Sequence, residues 1–487
     1  MSVEPSPPSP EATLVTDEVP AADVAGWSDR DPAGDGPGPV VEAPAIPDGP
    51  APVEATARLA SVDLLRGVAL LGILAMNIVG FGWPMVVYGT PTRAPGYSWA
   101  DLALWMFNHI VFDTKMMTIF SMLFGAGLAL MSERADAKGV SLRRVYFRRV
   151  AVLLAIGLVH AYLIWDGDIL VPYALCGFLL YPFRKKSPRT LIAIGLVLLG
   201  MAFPVWVGVR GGVGFLRSTA TAVDAEIKDG RTPTDWRKDA REILTKIEKN
   251  WGTGPEKFRA KIETQRGGYL GIVADRAGDL FGEHTFGFAL GFWWMVGGRM
   301  LLGMGLMKLG VFSAARSRAF YQRLALVGYG VGLPLVLADI AIDWHYAFFD
   351  GEMIRYATGG WWLVNTVSSP FVALGHVAVV MLIYQAGALG GLTRRLAAVG
   401  RMALSNYLLT SIVCTTLFYG YGLGLYAKLH RPGLYLVVLA IWAFQLWISP
   451  IWLSRFRYGP AEWLWRSLTY GQAQPFRRED TPVAVPA

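Results

Sequence analysis

The sequence predicts an all-α membrane protein: a polytopic bundle of about ten transmembrane helices with a mostly helical insertion on the outer side. Three observations carry this. Of the 487 residues, 53% are hydrophobic and only 17% are charged, against about 25% charged in an ordinary soluble protein. The apolar residues gather in long runs, and about 20 of them in a helix cross a bilayer core. The chain also holds 18 Trp and 55 Gly, residues that suit interfacial anchoring and close packing of membrane helices. Two cysteines, Cys176 and Cys414, exclude a disulfide framework and a Cys-based zinc cluster.

In chain order, residues 1–57 carry 11 acidic residues, one basic residue (Arg30) and 12 of the 29 prolines. Such a segment buries too little to offset its ordering entropy, so it reads as a disordered cytoplasmic tail. It lacks the basic and apolar regions of a cleavable signal peptide. Residues 58–209 form a first membrane half, with runs at 62–82, 112–131, 146–165, 169–183 and 190–209. The fourth run is short, and Trp99–Val111 ahead of the second reads as an interfacial helix. Residues 210–283 form an outer loop in which Trp236–Gln265 reads as two amphipathic helices broken at Gly252–Pro255. Residues 284–472 supply the second half, with runs at 285–307, 324–342, 361–386, 399–420 and 434–453, and 473–487 is a flexible tail.

Lysine and arginine counts orient the bundle. Connections on one side hold 22, from Arg134 to Arg478, and short loops on the other side hold four: Arg93, Arg355, Lys428 and Arg431. The positive-inside rule therefore predicts both termini in the cytoplasm. Residues 1–57 have a net charge of −10, so residues 58–487 carry +18. That excess decorates a membrane face, and no nucleic-acid-binding motif accompanies it.

Ionisable groups inside spans cost roughly 2.5–3.5 kcal/mol each and so mark candidate sites. In the first run Arg66 and Asn77 are eleven residues apart and share a helix face, with Asp63 placed to pair with Arg66. Asp113 follows His109 by one turn, beside Lys115. His160, Asp166 and Asp168 gather at the end of the third run. His284 opens the sixth run, Asp339, Asp343 and His345 close the seventh, and His376 lies within the eighth. Histidine oriented by a carboxylate suits proton transfer near neutral pH, while a single histidine at a helix end equally suits an interfacial residue. Arg66, Arg299 and Arg148 lie toward the cytoplasmic side and suit phosphate capture; the positive-inside bias alone would also place arginines there. Asn406 is expected to bond across to another span, and Glu462 to pair with Arg466. No P-loop, GxSxG elbow, HExxH or kinase-type set occurs.

The segments SVDLLRGVALLGILAMNIVGF, IFSMLFGAGLALM, GLVHAYLIWDGDILVPYALCGFLL and GRMALSNYLLTSIV, with the later YGPAEWLWRSLTYG, resemble the YeiB-like bacterial inner-membrane proteins. The resemblance runs from about residue 58 to 472 and implies a multi-pass inner-membrane protein whose C-terminal domain is of unknown function. More distantly, the Arg66-x10-Asn77 pattern is similar to the Arg-x10-His pattern of ten-helix membrane acyltransferases, which decorate extracellular sugars from cytoplasmic acyl-CoA. The opening also resembles the heparan glucosaminide acetyltransferase group. Here Asn77 stands where the acyltransferases have histidine, and an amide cannot act as a general base, so His109 or His160 would have to serve.

Three function classes follow as expectations. In the first, acyl transfer, Arg66, Arg299 and Arg148 would hold the phosphates of acyl-CoA as co-substrate, with no covalently bound cofactor. His160 would act as base for an outer small-molecule or glycan acceptor, oriented by Asp168 or Asp166, and Asn77 would donate to the oxyanion; His109 with Asp113 is the other candidate pair. The second class is a small-solute or proton-coupled transporter, since buried Asp, His and Arg also build relays; no inverted repeat relates the two halves. The third is a scaffold or sensor without turnover.

Overall fold

The computed structural model describes residues 59–251, 254–350 and 360–478. The expected tail at 1–57, the break at residues 252–253 and the side chains of Asp343 and His345 lie outside the described residues. The fold is helical throughout; among the described residues the strand-type pairing is one antiparallel bridge, Phe456 with Arg477. Among the described residues, seven helices are long and apolar enough to cross a membrane, or eight if the bent pair Gly390–Arg401 and Ala403–Phe418 counts as one span. The two other apolar runs of the sequence are helical but fall short of that test. Leu170–Leu180 has 11 residues, and the run at 285–307 is a π-helical stretch, Glu283–Gly297, continued by Gly298–Lys308.

Helix α1, Ala60–Gly82, is apolar on all sides and is buried along most of its length, as expected of a helix at the centre of a bundle. The sequence places Gly67 where α1 crosses Gly390–Arg401: a Cβ at Gly67 would strike the Leu396 carbonyl, and one at Gly400 the Asp63 carbonyl. Lys115–Ala137 crosses Gly298–Lys308 in the same way, through Gly125 against Met300 and Gly303 against Met122. Backbones meet at these points because hydrocarbon offers helices no hydrophobic driving force, which leaves van der Waals contact to hold them.

Asn406 reaches across as expected, donating to Ser449 Oγ at 3.1 Å, while Gln445 donates back to the Asn406 carbonyl at 3.1 Å. The Glu462 carboxylate meets the N-terminus of Ala403–Phe418: one oxygen accepts from the Leu404 and Ser405 amides at 2.6 and 3.1 Å, the other from Ser405 Oγ. These are donors a helix start leaves without intrahelical partners. Burial pushes the Glu462 carboxyl up from its usual range, and the Ser405 and Leu404 bonds pull it partly back.

The inserted segment is helical, as the amphipathic pattern implied, with helices at Asp235–Trp251 and Pro255–Gln265. The sequence reading missed a third, Tyr269–Gly282. Asp235–Trp251 pairs with the extension of Pro188–Lys228 through Arg237–Glu226 and Arg241–Asp224. The next two helices dock on the bundle: Arg266 Nε donates to the Tyr426 carbonyl at 2.8 Å, and the Tyr269 hydroxyl to the Leu163 carbonyl at 2.8 Å.

Candidate functional site

One stripe of α1 runs the length of the site. Arg66, Leu70, Ile73 and Asn77 stand at i, i+4, i+7 and i+11, a single helix face about 16 Å long. Arg66, Leu70 and Ile73 border a cavity of about 290 Å³. Leu70, Ile73 and Asn77 border a second, much smaller pocket. Tyr407 also lines both, so the two spaces share a wall. The eleven-residue spacing thus puts Arg66 on the cavity and Asn77 on the adjoining pocket, along one helix face.

The cavity has a basic mouth and an apolar shaft. Arg66, Arg134, Arg149, Arg401 and Arg466 line it together with Asp63 and Glu462. Arg66 Nη1 donates to Asp63 Oδ1 at 3.0 Å, and Arg149 lies over the Trp465 ring, 3.7 Å from its centre. Leucine, isoleucine and phenylalanine side chains make up half of the remaining lining, and tyrosine rings, Tyr173 and Tyr407 among them, much of the rest. Clustered guanidinium groups beside an apolar channel fit an anionic head carrying an apolar arm.

Beside the shared wall lies a hydrogen-bonded line of three residues. His160 opens a π-helical turn, His160–Ile164, closed by the Trp165 amide bonding to the His160 carbonyl at 2.8 Å. Such turns occur often at functional sites. His160 Nδ1 is 2.7 Å from Asp168 Oδ2, and its Nε2 is 2.9 Å from Ser411 Oγ. A carboxylate only accepts, so Nδ1 carries the proton and Nε2 accepts from the Ser411 hydroxyl when the ring is neutral. The other Asp168 oxygen accepts from the Val171 amide at 2.7 Å, which fixes the carboxylate at the start of Leu170–Leu180. His160, Asp168 and Ser411 are all buried, and Ser411 lines the small pocket with Asn77. The Asn77 amide has no hydrogen-bond partner among the described residues.

The remaining candidates are placed elsewhere. Asp166 stands near Glu283, Tyr419 and Tyr426, and Asp168 is the carboxylate on His160. His109 and Asp113 approach to 3.6 Å within a second buried polar group. There Asp113 accepts from the Tyr88 hydroxyl, Lys115 Nζ donates to the His109 carbonyl at 2.5 Å, and Asn365 donates to Asp339 at 3.0 Å. Arg299 is fully buried and lines neither space. Arg148 also lies outside the cavity lining: it is half-buried and donates to the Leu468 carbonyl at 2.9 Å, and its neighbour Arg149 takes the place at the mouth. His284 packs edge-on against Tyr162. Both ring nitrogens of His376 are engaged, with the Tyr329 hydroxyl at 2.7 Å and the Val111 carbonyl at 2.9 Å.

Sequence reasoning missed Ser411. The signal was present: Asn406, Thr410, Ser411 and Thr415 are buried polar residues recurring at four- or five-residue intervals within the apolar run at 399–420. Such a stripe must face other protein groups and not lipid.

These features define a polytopic helical membrane protein with a basic-mouthed cavity, a small pocket sharing its wall, and a buried histidine bonded to a serine of that pocket. The chain belongs to the YeiB-like family. It is 32% identical over 424 residues to the "Uncharacterized protein YeiB" of Escherichia coli (strain K12), a match covering 86% of this chain and 98% of that protein. It is 31% identical over 429 residues to the "Uncharacterized protein YxaH" of Bacillus subtilis (strain 168), covering 87% and 96%. Residues 306–472 match the family described as "Protein of unknown function (DUF418)".

Proposed function

We propose that this protein transfers an acyl group across the bacterial inner membrane, from cytoplasmic acyl-CoA to a small-molecule or glycan acceptor on the outer side. The observation that carries the reading is the continuity of the α1 stripe, from the Arg66 mouth along Leu70 and Ile73 to Asn77 in the pocket that Ser411 lines. Arg66, Arg149 and the neighbouring arginines would hold the donor's phosphates while the thioester arm lies along the shaft. His160, oriented by Asp168, would take the proton of the attacking hydroxyl. The Asn77 amide would donate to the oxyanion that forms on the thioester carbonyl. Arg299 and Arg148, outside the cavity lining, are left without a part in donor binding.

In this reading both termini are cytoplasmic, residues 58–209 and 284–472 are the two membrane halves, and residues 210–283 lie outside. A reporter fused after Gly230 should be active on the outer side; activity confined to the cytoplasm overturns the orientation. The reaction class is tested by native mass spectrometry and thermal unfolding of the detergent-purified protein with acetyl-CoA or palmitoyl-CoA. Binding with a raised melting temperature is expected. A second reading, proton-coupled transport, is favoured by the buried group of His109, Asp113 and Lys115. Solute flux with no dependence on acyl-CoA would select it.

A further inference from the structure

We propose that Ser411 is the nucleophile of a two-step reaction and carries the acyl group as an ester between donor and acceptor. The inference rests on the acyl-transfer reading above and goes beyond it, since His160 acting as a base on the acceptor alone would need no serine. Its basis is geometry. Ser411 Oγ, His160 and Asp168 lie in line at 2.9 and 2.7 Å, the order of hydroxyl, base and orienting carboxylate by which a serine is activated as a nucleophile. The Ser411 hydroxyl also lies 3.3 Å from the Tyr407 carbonyl of its own helix, a longer contact than the one to His160. Ser411 shares the small pocket with Asn77, whose amide has no other partner among the described residues. Tyr407 lines both that pocket and the cavity, and its ring is tilted onto His160 with centres 5.0 Å apart. Tyr407 therefore stands, with Leu70 and Ile73, on the wall that shaft and pocket share.

The steps balance. Ser411 Oγ attacks the thioester carbonyl as its proton passes to His160 Nε2, and the Asn77 amide donates to the oxyanion. The carbon–sulfur bond breaks, the proton on His160 goes to the leaving thiolate, and acyl-Ser411 and free thiol remain. An acceptor hydroxyl or amine then attacks the ester and gives its proton to His160. His160 passes that proton to Ser411 Oγ as the carbon–oxygen bond breaks, restoring the starting state.

The experiment is an acid quench of the full-length protein after incubation with radiolabelled acetyl-CoA or palmitoyl-CoA in the absence of acceptor, followed by peptide mapping. The expected result is a hydroxylamine-labile adduct on the peptide that contains Ser411. Ser411→Ala should lose the adduct and slow thiol release at least about a hundredfold while still binding donor. Ser411→Cys should regain an adduct as a thioester, which separates a lost nucleophile from a disturbed fold. A wild type that binds donor but forms no adduct and releases no thiol until acceptor is added overturns the serine assignment and leaves direct transfer standing. No thiol release and no donor binding by the wild type defeats acyl transfer itself, and the inference with it.

Discussion

His160→Ala is expected to remove turnover while leaving acyl-CoA binding intact, with a loss of roughly 100- to 10,000-fold, the range supplied by a positioned acid–base group. The division follows from where the residue sits. His160 is buried beside Ser411 and Asp168 and does not line the cavity that carries the arginines. Asp168→Asn should act through the histidine: an amide in that position can turn its NH2 toward Nδ1 and leave the proton on the wrong ring nitrogen. It should lower turnover in the same direction and shift its pH profile, an effect that a packing role would not produce. Thiol release measured beside equilibrium donor binding checks both variants, and a fully active His160→Ala would end the assignment.

How far the sequence reached is clearest from particular residues. The helical periods, the apolar run lengths and the insertion were legible because each reflects a local rule: run length against bilayer thickness, or the amphipathic pattern of Trp236–Gln265. The Arg66–Asn77 stripe was legible for the same reason, since both lie on one helix. The choice between Asp166 and Asp168 was not, because it depends on the extended chain after the π-helical turn at His160–Ile164, which no spacing rule fixes. Ser411 was hidden more deeply. It lies 251 residues from His160, and only the folding of Ala403–Phe418 against that turn brings the two together. Arg148 and Arg149 differ by one position, about 100° around a helix, so composition could not say which of them faces the cavity. Arg299 illustrates the converse limit: an arginine placed by sequence within a span is buried in the bundle, yet lines neither the cavity nor the pocket.

Arg66→Ala should weaken acyl-CoA binding by roughly 1.5–3 kcal/mol, the worth of one charge-assisted hydrogen bond, or about ten- to a hundredfold in Kd. Arg66 is half-committed to Asp63 at 3.0 Å, so removing it also leaves a carboxylate unneutralised at the mouth, which opposes an anionic donor further. Arg149→Ala should act in the same direction, because its guanidinium lines the same mouth over Trp465. The informative comparison is Arg148→Ala. Arg148 is adjacent to Arg149 in sequence and carries the same charge, but its guanidinium lies outside the cavity lining and is bonded to the Leu468 carbonyl. If general positive charge on this face attracted the donor, all three variants would weaken binding alike and the loss would fade with added salt. If the cavity is the donor site, Arg66→Ala and Arg149→Ala lose affinity while Arg148→Ala keeps it, and turnover at saturating donor changes far less than with His160→Ala. Equal losses in the three arginine variants, measured by calorimetry at two salt concentrations, would remove the cavity from the donor-binding role.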